Sequence, residues 1–352
     1  DALVKAQALT NGSASSDMLR TRDAIKAYMD DPTTAPPYIM SIPGNDNSSI
    51  IWVANQNPYK EAVRNSSPMQ KHNVSLSGGN EKTTYYASLG YLSQDGMYKL
   101  NTDVFKRYNA TLNLSNEINK WFKLDFRTSY YNTGYTQPVN PAGKGGWWRA
   151  LAQEPGRNVN MPMKTPANSP NGMGGMYTDN ILSFMDYGSL DKQNRENLLL
   201  AISPTLKLTN NWNIKSDISF TSHNSTEKQV IPILNRVENS WYSTDNVYTS
   251  PSSVDKTSDH FNQYLINLYT DYTYTIKNHH LYGLAGFNQE WYRDDWLEGV
   301  GTGLITPEVP VINQTTGQRN AYDGEEEWAV RGSFYRFTYD YKGKYLIESN
   351  GR

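Results

Sequence analysis

The chain carries 33 Lys and Arg against 35 Asp and Glu in 352 residues, a formal charge of −2, and it has no cysteine. That balance lacks the basic excess of a nucleic-acid binder, and without thiols neither disulfides nor thiolate metal sites form. No run of about 18 apolar residues occurs, which excludes a membrane-crossing helix; the mean hydropathy of −0.71 does not exclude a transmembrane barrel, whose strands are only half apolar.

In chain order the first element is a predicted helix over residues 17–31, "DMLRTRDAIKAYMDD". Met18, Leu19, Ile25 and Met29 form one stripe, and "DDP" ends it. "PTTAPPYIMSIPGNDNSS" then reads as irregular loop. From residue 70 the period changes to two. Val74 and Leu76 alternate with Asn73, Ser75 and Ser77. Tyr85, Ala87, Leu89 and Tyr91 form the next apolar row, followed by Tyr108, Ala110, Leu112 and Leu114 and then Phe122, Leu124, Phe126 and Tyr130. After a long gap come Leu198, Leu200, Ile202, Leu206 and Leu208, in a strand that contains Pro204. Trp212, Ile214, Ile218 and Phe220 follow, then Tyr264, Ile266, Leu268, Tyr272 and Tyr274, then Leu281, Ala285 and Phe287. "WAVRGSFYRFTYDY" and "KYLIES" close a series of about ten strands.

The connections alternate without exception. "GGNE", "SNEINK", "LTNN", "IKNHH" and "YKGK" are short turns, while residues 93–104, 131–193, 222–259 and 292–326 read as long loops. A hairpin meander with every long loop at one end is the pattern of an outer-membrane β-barrel with short periplasmic turns. A soluble β-sandwich also has one apolar face, but three features favour the barrel. Full charges stand in mid-strand on the polar face: Arg107, Lys123, Asp125, Arg127, Lys215 and Asp217. Aromatics gather near strand ends (Trp121, Phe122, Tyr130, Tyr131, Trp212, Trp291, Tyr339, Tyr341), as in interfacial girdles. The loops are also longer than sandwich connections usually are. The expected fold is therefore all-β, a transmembrane antiparallel barrel wall over residues 70–352, preceded by an extracellular segment at 1–69 with one short helix.

Two stretches carry a family likeness. "MQKHNVSLSGGNEKTTYYASLGYLSQDGMYK" and "FKRYNATLNLSNEINKWFKLDF" resemble SusC/RagA-type TonB-dependent transporters of the Bacteroidota outer membrane. "NPYKEAVRNS" at 57–66 and "YRFTYDYKGKYLIESNGR" at 335–352 fit the same rhythm. The resemblance implies a barrel of about 22 strands with an N-terminal plug, consistent with the many-stranded barrels of outer membranes. It also implies a SusD-like surface lipoprotein as lid, the TonB–ExbB–ExbD complex as energy source, and an oligosaccharide or oligopeptide as cargo. On this reading the sequence is an excerpt of a longer protein, lacking the plug and the closing half of the barrel.

No catalytic residue, metal ligand or cofactor is expected. Trp147, Trp148 and Arg149 in "GKGGWWRALAQEPG", with Trp241 and Tyr242 in "SWYS", are candidate substrate contacts, although packing of the loops onto the barrel mouth or lid is the favoured reading of such aromatics. Arg107, Asn109, Asn113, Lys123, Asp125, Arg127, Lys215 and Asp217 are expected to line a hydrated lumen, where exchanges such as Asn109→Arg and Lys215→Glu should be tolerated. Two rivals remain. A complete ten-stranded outer-membrane protease would use Asp259-His260 and Asp294-Asp295, and a soluble extracellular β-sandwich would bind glycans.

Overall fold

The computed structural model describes residues 5, 8, 15–45, 49–139, 160–169, 172–237, 244–245 and 251–352. Helix α1 (Ser16–Asp30) forms where the apolar stripe places it. The Ser15 hydroxyl accepts from the Met18 N–H at 3.3 Å, and Asp17 sits in the first turn, where a carboxylate complements the helix dipole. Residues 38–62 hold more order than one helix. Strand β1 (Tyr38–Met40) pairs with β2 (Ile50–Trp52), and helix α2 (Pro58–Ala62) starts behind an Asn57 cap. Three-residue strands are too short to show a period, which hid β1 and β2. The Asn-Pro start of α2, by contrast, is legible.

Ten strands make one antiparallel sheet: β3 (Met69–Gly79), β4 (Thr83–Asp95), β5 (Val104–Asn119), β6 (Phe122–Pro138), β8 (Leu190–Lys207), β9 (Trp212–Ile231), β12 (Ser253–Ile276), β13 (His279–Thr302), β14 (Arg319–Tyr341) and β15 (Tyr345–Gly351). Each pairs with its neighbours in chain order, and β3 and β15 form the two edges. Every second connection is a tight turn, so the short turns share one end and the long excursions the other. The Lys277 turn and the Lys342-Gly343 turn use left-handed backbone, with φ of 53°, 59° and 65°.

Several strands run further than alternation suggests. β9 continues to Ile231 and β12 begins at Ser253, both inside the expected 222–259 loop. β13 reaches Thr302 inside the expected 292–326 loop. In the β9 extension both faces are polar, as in "SHNSTEKQ", so the ladder persists where the hydrophobic period has vanished.

Beyond the long-loop end, residues from several connections build a small core. Ala62 and Val63 pack with Ile181, Leu182, Phe184 and Met185 of helix α3 (Ile181–Asp186) and with Leu234. Ile50 and Trp52 pack with Met161, Met173 and Val237. Strand β10 (Arg236–Val237) joins β7 (Tyr177–Thr178) and β11 (Thr244–Asp245) in a separate three-stranded sheet. Asn101 locks this cap to the wall side by donating to the Met185 carbonyl at 2.7 Å.

Candidate functional site

Side chains alternate across the sheet, and the register fixes which residues share a face. Leu89 stands opposite Val74 and Ala110, Leu200 opposite Phe220, and Ile266 opposite Ile218. This face is apolar and uncovered: Val74 is 72% exposed, Leu89 67% and Leu268 52%. Rings flank the belt, with Trp212 edge-on to Tyr272 at 6.5 Å and Tyr264 against Trp291 at 5.4 Å. Tyr131 departs from the expected girdle. It lies on the other face, with the Arg107 guanidinium 5.5 Å above its ring.

All eight predicted polar-face residues fall on the side opposite the belt. Asn109 faces Tyr131, Asn113 faces Arg127, and Lys123 and Lys215 both face Thr205. Near the short turns these groups are neutralised locally. Lys123 Nζ lies 3.2 Å from Asp125, the Ser203 hydroxyl donates to Asp217 at 2.7 Å, and Lys215 Nζ lies 2.8 Å from Asp271. Asp271 is 4% exposed, and it also accepts from Asn213 at 2.9 Å.

Towards the long-loop end, past the apolar belt, the same face becomes acidic. Asp191, Glu227, Asp255 and Glu298 lie on neighbouring strands β8, β9, β12 and β13. One step nearer the short turns, Asp259, Asp294 and Glu326 follow on β12, β13 and β14, and Glu326 stands directly opposite Asp294. Across β8–β14 at this level, Arg195 is the one Lys or Arg on this face among the described residues. Asp191 is 2% exposed; Oδ2 accepts from Gln137 at 3.0 Å and Gln193 at 2.9 Å, while Oδ1 has no partner. Asp294 Oδ1 is likewise buried without a partner. Burial holds Glu227, Asp255 and Asp294 above the ordinary carboxylate range, and neighbouring carboxylates push the same way: Asp191 and Asp255 on Glu227, Glu298 on Asp255, Asp259 and Glu326 on Asp294.

Among these acids runs a continuous aromatic stack. His223 stacks on Phe261 at 5.1 Å, Phe261 packs on Tyr292 at 5.5 Å, and Tyr292 stacks on Trp328 at 5.3 Å with 16° between planes. Sequence reading missed this site because the strand extensions read as loops. Continuing the period of two through "SHNSTEKQ" and "EWYRDDWLEG" would have placed the acids and rings on one face.

Trp147, Trp148, Arg149, Trp241 and Tyr242 lie outside the described residues. The protease pairs do not assemble. Successive strand residues point to opposite faces, so the four split two and two: Asp259 and Asp294 lie on the polar face, while His260 stands opposite Asp295 on the other face and bonds with Asn224 and with Asn262 at 2.8 Å. The single sheet, with β3 and β15 as separate edges, is neither a closed ten-stranded barrel nor a sandwich.

No protein-family model matches the chain. Over 302 residues it is 24% identical to the TonB-dependent receptor P26 of Formosa agariphila, covering 84% of this chain and 29% of that protein. The chain is homologous to TonB-dependent receptors. Among solved structures it resembles the RagAB peptide importer in its open-open state, with a TM-score of 0.64 and 18% identity over 93% of this chain and 35% of that one. The closed-closed state gives a TM-score of 0.63 at 18% identity, over 86% of this chain and 33% of that one. At such identity the likeness is one of fold, and the ten-stranded sheet matches the barrel wall of TonB-dependent transporters. The chain spans about three tenths of the length of the receptor it matches.

Proposed function

We propose that the chain forms part of the barrel wall of a TonB-dependent importer in the outer membrane, moving oligopeptides or oligosaccharides without covalent chemistry. One observation carries this reading. A ten-stranded sheet leaves an uncovered apolar belt on one face and places paired charges on the other. In water such a belt would drive aggregation, whereas in a bilayer it meets acyl chains and the charged face lines a hydrated lumen. Arg107, Asn109, Asn113, Lys123, Asp125, Arg127, Lys215 and Asp217 are then lumen residues. The cap over residues 38–64 and 160–189 faces the cell exterior, where a SusD-like lipoprotein lid would dock.

The RagAB likeness favours peptide over glycan as cargo. Uptake of labelled oligopeptides and oligosaccharides should be compared in cells with and without the gene, and with the TonB complex inactivated. Uptake that survives loss of TonB, or that is unchanged by loss of the gene, would overturn the proposal.

A further inference from the structure

The acid-and-aromatic track on the polar face holds carboxylate oxygens that its own strands leave without partners. Nearer the short turns Lys123 pairs with Asp125 and Lys215 with Asp271, but the carboxylates at the long-loop end crowd one another. Leaving buried carboxylate oxygens unpaired is costly, so a site that does so is built for a group that arrives later. We infer that this track binds the cationic side chains of an incoming peptide, with lysine ammonium or arginine guanidinium groups lying over the His223–Phe261–Tyr292–Trp328 stack and pairing with the carboxylates beside it.

Three features select that ligand class. Aromatic faces attract cations, and a guanidinium both stacks on a ring and bonds a carboxylate with its edge. Asp294 lies beside the middle of the stack: it opposes Phe261, shares a hydrogen bond with Tyr292, and has an Oδ1 without a partner. At the outer rim Asp191, almost fully buried, offers a second free oxygen beside Glu227.

A metal ion is a poorer occupant. Among the described residues no three His, Asp or Glu side chains converge closely enough to hold one. The carboxylates are instead strung across adjacent strands about 4.8 Å apart, which suits an extended chain with spaced charges. A neutral sugar would stack on the rings and donate its hydroxyls to the carboxylates, but it would leave their crowded negative charge uncompensated. An acidic peptide would be repelled.

This inference rests on the importer reading, and the test separates the two. Fluorescent peptides of equal length, carrying lysine, glutamine or glutamate at the same positions, are titrated against the purified full-length protein in detergent. The lysine peptide should bind at least about tenfold tighter than the glutamine peptide, with a preference that shrinks at high salt. Combining Asp259→Asn, Asp294→Asn and Glu326→Gln should abolish the preference, bringing the lysine and glutamine peptides to equal affinity. Equal wild-type affinity for all three peptides overturns the inference, and that measurement stands even where the variant fails to fold. A preference that persists undiminished in a folded variant overturns it too. Failure of cells to take up any peptide or oligosaccharide through the protein would sink the importer reading, whereas uptake indifferent to peptide charge would sink only the cationic preference.

Discussion

Lys215 reaches diagonally from β9 to β12 and places its Nζ 2.8 Å from Asp271 Oδ1. Asp271 is almost fully buried and Lys215 about one-third exposed, so the pair differs in kind from the surface ion pairs elsewhere on the chain. The sequence suggested that Lys215→Glu would be tolerated; the contact reverses that expectation. Removing the cation leaves the buried carboxylate with Asn213 as its remaining donor, at a cost of at most about 3–5 kcal/mol, and the reversed charge adds repulsion. Lys215→Glu should lower the fraction of heat-modifiable, folded barrel on semi-native gels, and adding Asp271→Asn should recover much of it. Wild-type folding of the single variant would mean that the pair carries no stability.

The apolar belt makes a complementary prediction. Leu112, Leu200 and Ile266 lie on the uncovered face, where a charge near the bilayer midplane costs about 2–4 kcal/mol. Leu112→Arg, Leu200→Arg and Ile266→Arg should each impair assembly, while Asn109→Arg on the opposite face should not. If Asn109→Arg is as harmful as the other three, the faces have been assigned the wrong way round.

Helix α3 anchors the cap through Leu182, which is fully buried, and Asn180 caps it by accepting from the Leu182 N–H at 2.9 Å. Leu182→Ala removes methyl groups from a small core with little room to collapse, so it should destabilise the cap by about 2–5 kcal/mol. The wall ladder does not depend on that core. Hydrogen exchange should therefore accelerate across residues 160–189 while β8 and β9 keep their protection. Acceleration in both regions would show that cap and wall unfold as one unit.

Legibility followed the hydrophobic period. Where one face meets an apolar surrounding, as at Leu198–Leu200–Ile202 or Tyr264–Ile266–Leu268, alternation gave the strand, its face and its neighbours. The eight polar-face residues fell on one side for the same reason. Where both faces meet water, as from His223 to Gln229, the ladder is held by backbone hydrogen bonds that have no side-chain signature, and the acidic track stayed hidden there. The cap was illegible for a different reason: Ala62, Leu182 and Leu234 come from segments far apart in the chain, and no local pattern announces that they meet.

The last prediction concerns orientation. The β12–β13 turn at Lys277-Asn278 and the β14–β15 turn at residues 342–344 lie at the same end as the other tight turns, and the β13–β14 excursion at residues 303–318 lies at the opposite end. Outer-membrane barrels keep tight turns in the periplasm and long loops outside. Asn278 and Glu308 are therefore expected on opposite sides of the membrane, and both are exposed. Because this chain has no cysteine, a single one introduced at either position reports without background from it. On intact cells a membrane-impermeant maleimide should label Glu308→Cys and spare Asn278→Cys, and both should react once the outer membrane is permeabilised. The reverse pattern would turn the barrel over, placing the acidic track at the periplasmic end, where arriving substrate would meet it last instead of first.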